Sequence, residues 1–210
     1  VGDTIMNANF GNSNIGIGYN VATAITGTGN IAIGGNVNVA SNSRNYTIGI
    51  GINTLRNNNA HYTMAIGFQA GEENTSGGEN TYLGYSAGWK NQTGQYVTAV
   101  GYEAGAYATG SSNTFIGNAA GKGGTTSAPY SSGQNNTAIG YEALDAFTTG
   151  DNNVALGVSS ATSITTGANN TAIGYFALGA LTVGDSNIII GQNAGDAMAV
   201  GESQNISIGQ

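Results

Sequence analysis

A glycine preceded by a branched aliphatic residue recurs along this chain at a nearly constant interval, and that periodicity constrains the fold more than any other feature. With that glycine as register zero, the series is Gly18, Gly34, Gly51, Gly67, Gly84, Gly101, Gly117, Gly140, Gly157, Gly174, Gly191 and Gly209. The spacings are 16, 17, 16, 17, 17, 16, 23, 17, 17, 17 and 18. Such a period marks a repeat architecture in which each unit buries its apolar side against its neighbours. Position −1 is Ile, Leu or Val in all twelve units, from Ile17 to Ile208. Position −3 is Ile, Met, Val or Thr, and Ala or Gly usually stands between the two. This is the period-two pattern of a strand with one buried face. The unbroken aliphatic column at −1 is expected to point inward. Position −4 is Asn in nine units, and a second glycine occupies position −7 in nine.

These columns predict an all-β chain, a β-solenoid (β-roll) of about twelve 17-residue coils, each with two short extended pieces and two sharp corners. Glycine takes corner conformations that a Cβ forbids. Stacked Asn side chains can hydrogen-bond from coil to coil. At about 4.8 Å per coil the stack is a rod on the order of 55–60 Å long. Helix is excluded by 36 glycines, each costing about 1 kcal/mol relative to Ala in a helix. The whole of 1–210 reads as one domain. The 23-residue spacing, with the sole proline Pro129, predicts a surface loop at about 121–133. Two coil flavours are visible. Tyr141–Leu144 and Tyr175–Leu178 place Leu on the return run, whereas Phe68–Gly71, Tyr85–Gly88, Tyr102–Gly105 and Asn118–Gly121 end in Gly and predict a thinner core. Val1 falls at register zero of a preceding coil.

Charged residues make up only 7% of the chain, with 4 cations against 11 acids. Arg44, Arg56, Lys90 and Lys122 are scattered, which speaks against nucleic acid as a partner, because phosphate binding needs clustered cations. No apolar run reaches the roughly 20 residues of a membrane span, so no membrane insertion is expected. With one histidine, His61, and no cysteine, Cys–His nucleophiles and multi-His zinc sites cannot be built. The carboxylate pairs Glu72 with Glu73 and Glu142 with Asp145 are the glycosidase candidates. Adjacent residues on a strand point to opposite faces, which spoils the first pair. GNAAGKGG (117–124) has the wrong spacing for a phosphate loop and reads as a corner. Asp151 and Asp185 read as turn caps rather than calcium ligands. The chain is therefore expected to be no enzyme, with no catalytic residues, cofactor or metal.

The strings NTAIGYEAL (136–144), NVALGVSSA (153–161), NTAIGYFAL (170–178) and NIIIGQNAG (187–195) resemble two related groups. One is the head repeat of trimeric autotransporter adhesins; the other is the Asn-Thr-Ala-Ile-Gly-Tyr repeat of phage tail-fibre proteins. The resemblance implies a homotrimer of β-rolls, extracellular on a virion or cell surface, used for attachment to a glycan or protein receptor. A thin core independently favours side-by-side packing of copies, and end-to-end assembly is the other route. The column at +1, with Tyr19, Phe68, Tyr85, Tyr102, Tyr141 and Tyr175, is expected to stack on sugars or to pack between subunits. Trp89 and Lys90 are expected to be exposed receptor contacts. Competing functions are a self-assembling extracellular filament and an ice-binding solenoid, the latter weakened by Ile and Val interruptions in the Thr column.

Overall fold

A computed structural model describes residues 11–21, 26–38, 44–198 and 200–209. Val1, and with it the expectation about a preceding coil, lies outside the described residues. The chain is a β-solenoid. Twelve strands follow in chain order: β1 (Ile15–Tyr19), β2 (Ile31–Gly35), β3 (Ile48–Ile52), β4 (Met64–Ile66), β5 (Thr81–Leu83), β6 (Thr98–Val100), β7 (Thr114–Ile116), β8 (Thr137–Ile139), β9 (Val154–Leu156), β10 (Thr171–Ile173), β11 (Ile188–Ile190) and β12 (Ile206–Ile208). They form one parallel sheet in the order of the sequence, with equivalent register positions paired. Among the described residues no helix occurs.

Each coil contains one extended piece rather than the two expected. The return run is a succession of turns whose amides bond to neighbouring coils, as in Ser86 N–H to Phe68 O (2.8 Å) and Gly88 N–H to Ala104 O (2.9 Å). Position +2 is left-handed whatever its side chain, for example Glu103 (φ 52°) and Phe176 (φ 54°). A non-glycine residue pays about 1 kcal/mol or more for that conformation, which these inter-coil hydrogen bonds offset. At register zero glycine has two reasons to be there. Gly140 has φ +140°, and a Cβ on it would overlap the carbonyl oxygen of Gly157 in the next coil. The −7 glycines serve close approach rather than a corner dihedral: a Cβ on Gly94 would stand 2.7 Å from the Gly110 oxygen.

The burial pattern reverses the expected faces of the strands. The middle residue of each triplet (−2) is buried from β1 to β11, and positions −3 and −1 look outward; in the last strand, β12, all three residues are exposed. Tyr82, Ala99, Phe115, Ala138, Ala155, Ala172 and Ile189 are fully buried, while Ile17, Ile66, Ile116 and Leu156 are exposed. The physical reason lies in the width of the coil. Only one column from the strand fits against the return run, so that column varies in size to match what faces it. Where the return run supplies Leu144, Leu178 and Leu181, the strand centre is Ala. In the Gly-ending coils, expected to be thin, the strand supplies the bulk instead. A Cβ on Gly71 would stand 2.6 Å from the Tyr82 ring, and Gly88 would overlap the same ring. Phe115 likewise covers Gly105 and Gly121. Large and small centres therefore alternate along Ala65, Tyr82, Ala99, Phe115 and Ala138, each ring filling two coils.

The Asn column at −4 is buried and continuous through Asn136, Asn153, Asn170 and Asn187. From Asn153 on, each Nδ2 donates to the Oδ1 of the preceding coil, at 3.1 Å for Asn153 to Asn136 and 2.9 Å for Asn187 to Asn170. It also donates to the −7 carbonyl of the following coil, as in Asn153 to Gly167 O at 2.9 Å. Where Val97 replaces Asn, its backbone N–H still donates to Asn80 Oδ1 at 2.8 Å. The insertion is narrower than the sequence suggests. Gly124 N–H bonds to Phe147 O at 2.8 Å and Ser131 N–H to Tyr107 O at 3.0 Å, so the chain leaves the stack only over 125–130.

Candidate functional site

Positions −3, −1 and +1 form three outward columns on the open face of the sheet. In β1 the alternation is complete: Gly16 is buried while Ile15, Ile17 and Tyr19 are exposed. Tyr85, Tyr102, Tyr141 and Tyr175 are exposed along one margin of this face. None of the chain's 15 charged residues (4 basic, 11 acidic) falls on these three columns. Five coils present Thr at −3, namely Thr81, Thr98, Thr114, Thr137 and Thr171. The adjoining −1 column is aliphatic throughout and the +1 column carries large rings, so the face is neither a regular hydroxyl array nor flat.

The rings of Phe68, Tyr85 and Tyr102 stack on one another, with centroids 5.2 and 5.0 Å apart and planes 14° and 7° off parallel. Stacked rings give their faces to each other, so this ladder turns edges and hydroxyls outward and offers a sugar no platform along its length. Glu103 beside Tyr102 and Glu142 beside Tyr141 push those phenols above their usual range. For Tyr102 the Glu103 charge is the main cause, and for Tyr141 it is the hydrogen bond to Glu142.

Trp89 and Lys90, expected to be exposed receptor contacts, are half-buried and engaged. Trp89 Nε1–H donates to Glu72 Oε2 at 3.0 Å, Lys90 pairs with Glu73, and the ammonium lies 3.9 Å from the Trp89 ring centroid. The cause is the one-coil stagger of the return run, which sets each side chain beside its register equivalent. Glu72 also accepts from Gln69 Nε2 at 2.7 Å and pairs with Arg56 at 3.4 Å, so Glu72 and Glu73 serve different cations. Asp145 accepts from Thr162 Oγ1 at 2.7 Å, and burial, as the largest cause, raises its pKa. Lys122 pairs with Glu103 at 2.5 Å, and that hydrogen bond holds its ammonium above the usual range. Asp151 and Asp185 accept backbone amides of the preceding coil, from Gln134 at 2.6 Å and Ala168 at 2.7 Å. Among the described residues no group of three or more His, Asp or Glu side chains is placed to hold a metal ion.

Arg44 was not singled out by its sequence context. It occupies a −7 position, where most coils have glycine, and its side chain turns into the interior. The guanidinium donates to Asn38 O at 3.0 Å and to Asn58 O, and burial draws its pKa down to about 10. The break in the glycine column is the signal that marks it.

The chain matches no protein-family model, and no curated protein or solved structure matches it.

Proposed function

We propose that the chain is a non-enzymatic structural and adhesive fibre element of a virion or cell surface, assembling with copies of itself through the open sheet face, with a trimer as the preferred form. The observation that carries this reading is the uncharged, three-column face running through twelve coils. Interface centres are depleted of charge and enriched in aromatic residues. A strip about 55 Å long and 13 Å wide has a plan area of roughly 700 Å². That is close to the about 800 Å² per partner of a stable interface. Side-by-side copies would cover the aliphatic columns and the tyrosine margin together, which a solitary solenoid leaves wet. The rest of the rod surface is then left for attachment to a receptor.

Multi-angle light scattering over a concentration series tests the assembly, with Ile116→Glu as the disrupting variant. A discrete oligomer is expected for the native chain and a smaller species for Ile116→Glu. A single species of 21.0 kDa at every concentration removes the reading, whereas long polymers favour the filament alternative.

A further inference from the structure

We propose that an open pocket at the −6 and −5 columns of the coils containing His61, Gly78 and Gln95 binds one neutral pyranose unit of a glycan. This rests on the attachment reading above and assigns it a ligand class and a place. The pocket has a volume of about 260 Å³ and lies among His61, Tyr62, Ser76, Gly78, Glu79 and Gln95, none of which is on the three columns of the uncharged sheet face.

Its origin is a missing side chain. Along the −6 column, the side chain of one coil accepts the backbone N–H of the coil before it. Asn45 N–H donates to His61 Nδ1 at 3.1 Å, Gln95 N–H to Ser111 Oγ at 3.1 Å, and Gln134 N–H to Asp151 Oδ1 at 2.6 Å. At the coil after His61 this position is Gly78. No protein group among the described residues accepts the His61 or Gly78 N–H. The His61 N–H therefore faces the space that a −6 side chain at Gly78 would fill, and the Gly78 N–H belongs opposite Gln95, which does not accept it.

The wall is aromatic on one side. Tyr62 stacks on Tyr46 with centroids 5.6 Å apart, which covers one face of its ring. The next coil carries Glu79 rather than an aromatic residue at −5, so no second ring stacks on Tyr62, which is exposed and lines the pocket. Glu79 supplies an exposed carboxylate, and Ser76 and Gln95 supply exposed hydroxyl and amide groups.

These groups select among ligands. The amides call for an oxygen acceptor, and the carboxylate of Glu79 calls for a hydroxyl donor while repelling an anion. A sugar hydroxyl does both at once, accepting from N–H and donating to carboxylate. The apolar C–H face of a pyranose ring matches the exposed Tyr62 ring. A uronic or sialic acid would set its charge against Glu79, in a protein of net charge −7. A neutral pyranose meets every group.

The experiment titrates the full chain with methyl glycosides of glucose, galactose, mannose and N-acetylglucosamine, read by saturation-transfer NMR and calorimetry. At least one should bind with a dissociation constant on the order of 1 mM. Gly78→Asp restores the acceptor found at Asp151 and fills the pocket. It should weaken binding by at least about tenfold with the melting temperature held or raised. Tyr62→Ala should weaken binding comparably, and Tyr175→Ala should leave it unchanged. No binding by any of these glycosides up to roughly 50 mM, or binding indifferent to Gly78→Asp and Tyr62→Ala, overturns the site. Adhesion of the native protein to cells that persists alongside such a result leaves attachment standing and this site refuted. Glycoside binding at this site by a protein that adheres to no surface refutes attachment and keeps the site.

Discussion

The reversal of the strand faces is tested by truncating two neighbouring residues, Phe115 and Ile116. Phe115 is fully buried, lies over Gly105 and Gly121, and meets the Phe147 ring with centroids 5.6 Å apart. Phe115→Ala removes the ring that fills two coils. The glycines beneath it have no side chains to move into the void, and their backbones are pinned by inter-coil bonds, including Gly121 N–H to Ala143 O at 2.8 Å. The site collapses poorly, so the cost should lie towards the top of the range for such a change, about 3–5 kcal/mol. The lost ring pair is part of that, worth roughly 0.5–1.5 kcal/mol. Ile116 faces outward and is exposed in the single chain, so Ile116→Ala should cost under about 1 kcal/mol in the dissociated protein. Urea denaturation at a concentration where the native chain is dissociated measures both. Because neighbouring coils contribute nearly additively in solenoids, hydrogen exchange should place the loss in the coils on either side of β7. Equal costs for the two variants, or a larger one for Ile116→Ala, would refute the assignment of faces.

Four further outcomes are expected. Asn153→Ala should cost at least about 2 kcal/mol in the same denaturation assay, because it leaves buried partners in two coils unpaired; a loss below 0.5 kcal/mol would be inconsistent with a buried ladder. Gly140→Ala, whose Cβ would overlap Gly157 O, should destabilise far more than Gly201→Ala, where nothing lies within 4 Å, and equal melting temperatures would contradict the close approach. Deleting 125–130 restores a 17-residue spacing and should leave the β circular-dichroism signal intact, so unfolding would place that segment in the core. Burial raises the Asp145 pKa, so the folded state binds this proton more readily than the unfolded one. Its contribution to stability therefore falls as pH rises from the ordinary carboxylate value of about 3.9 through the raised one. Asp145→Asn should remove that component of the pH profile, and an unchanged profile would refute it.

The period, the register glycines and the Asn column were legible in the sequence because each is set by contacts between equivalent positions of adjacent coils, which a repeat displays directly. Which strand face lies inside was not, because an unbroken aliphatic column such as −1 ordinarily marks an interior. In a coil this narrow the interior column is the variable one. Its residue must complement the return run, so Ala138 accompanies Leu144 while Phe115 accompanies Gly121. That size compensation shows as a pairing of −2 with +4 in the same or the adjacent coil, since Gly71 and Gly105 are covered by Tyr82 and Phe115 of the next coil, whereas constancy at −1 reflects an outward face. The engagement of Trp89 and Lys90 depends on the one-coil stagger that sets them against Glu72 and Glu73, a distance of seventeen residues that composition alone does not reveal. The pocket beside His61 arises from an absent side chain at Gly78, and absence in one column becomes meaningful only once the column's hydrogen bonds are known.

The asparagine ladder gives the rod a direction. From Asn136 to Asn187 the side-chain oxygens are threaded in one sense, each accepting from the asparagine one coil on, while each Nδ2 from Asn153 to Asn187 divides its N–H groups between the coils on either side. Aligned carbonyl groups polarise one another, so the column of oxygens is a one-way line of dipoles in a solenoid whose described residues form no helix. At the high-numbered end the Asn205 side chain donates to Asn187 and Ser203 and leaves its oxygen as an acceptor. A further coil or copy could extend the column at that end only by bringing donors, since meeting a second such end would set oxygen against oxygen.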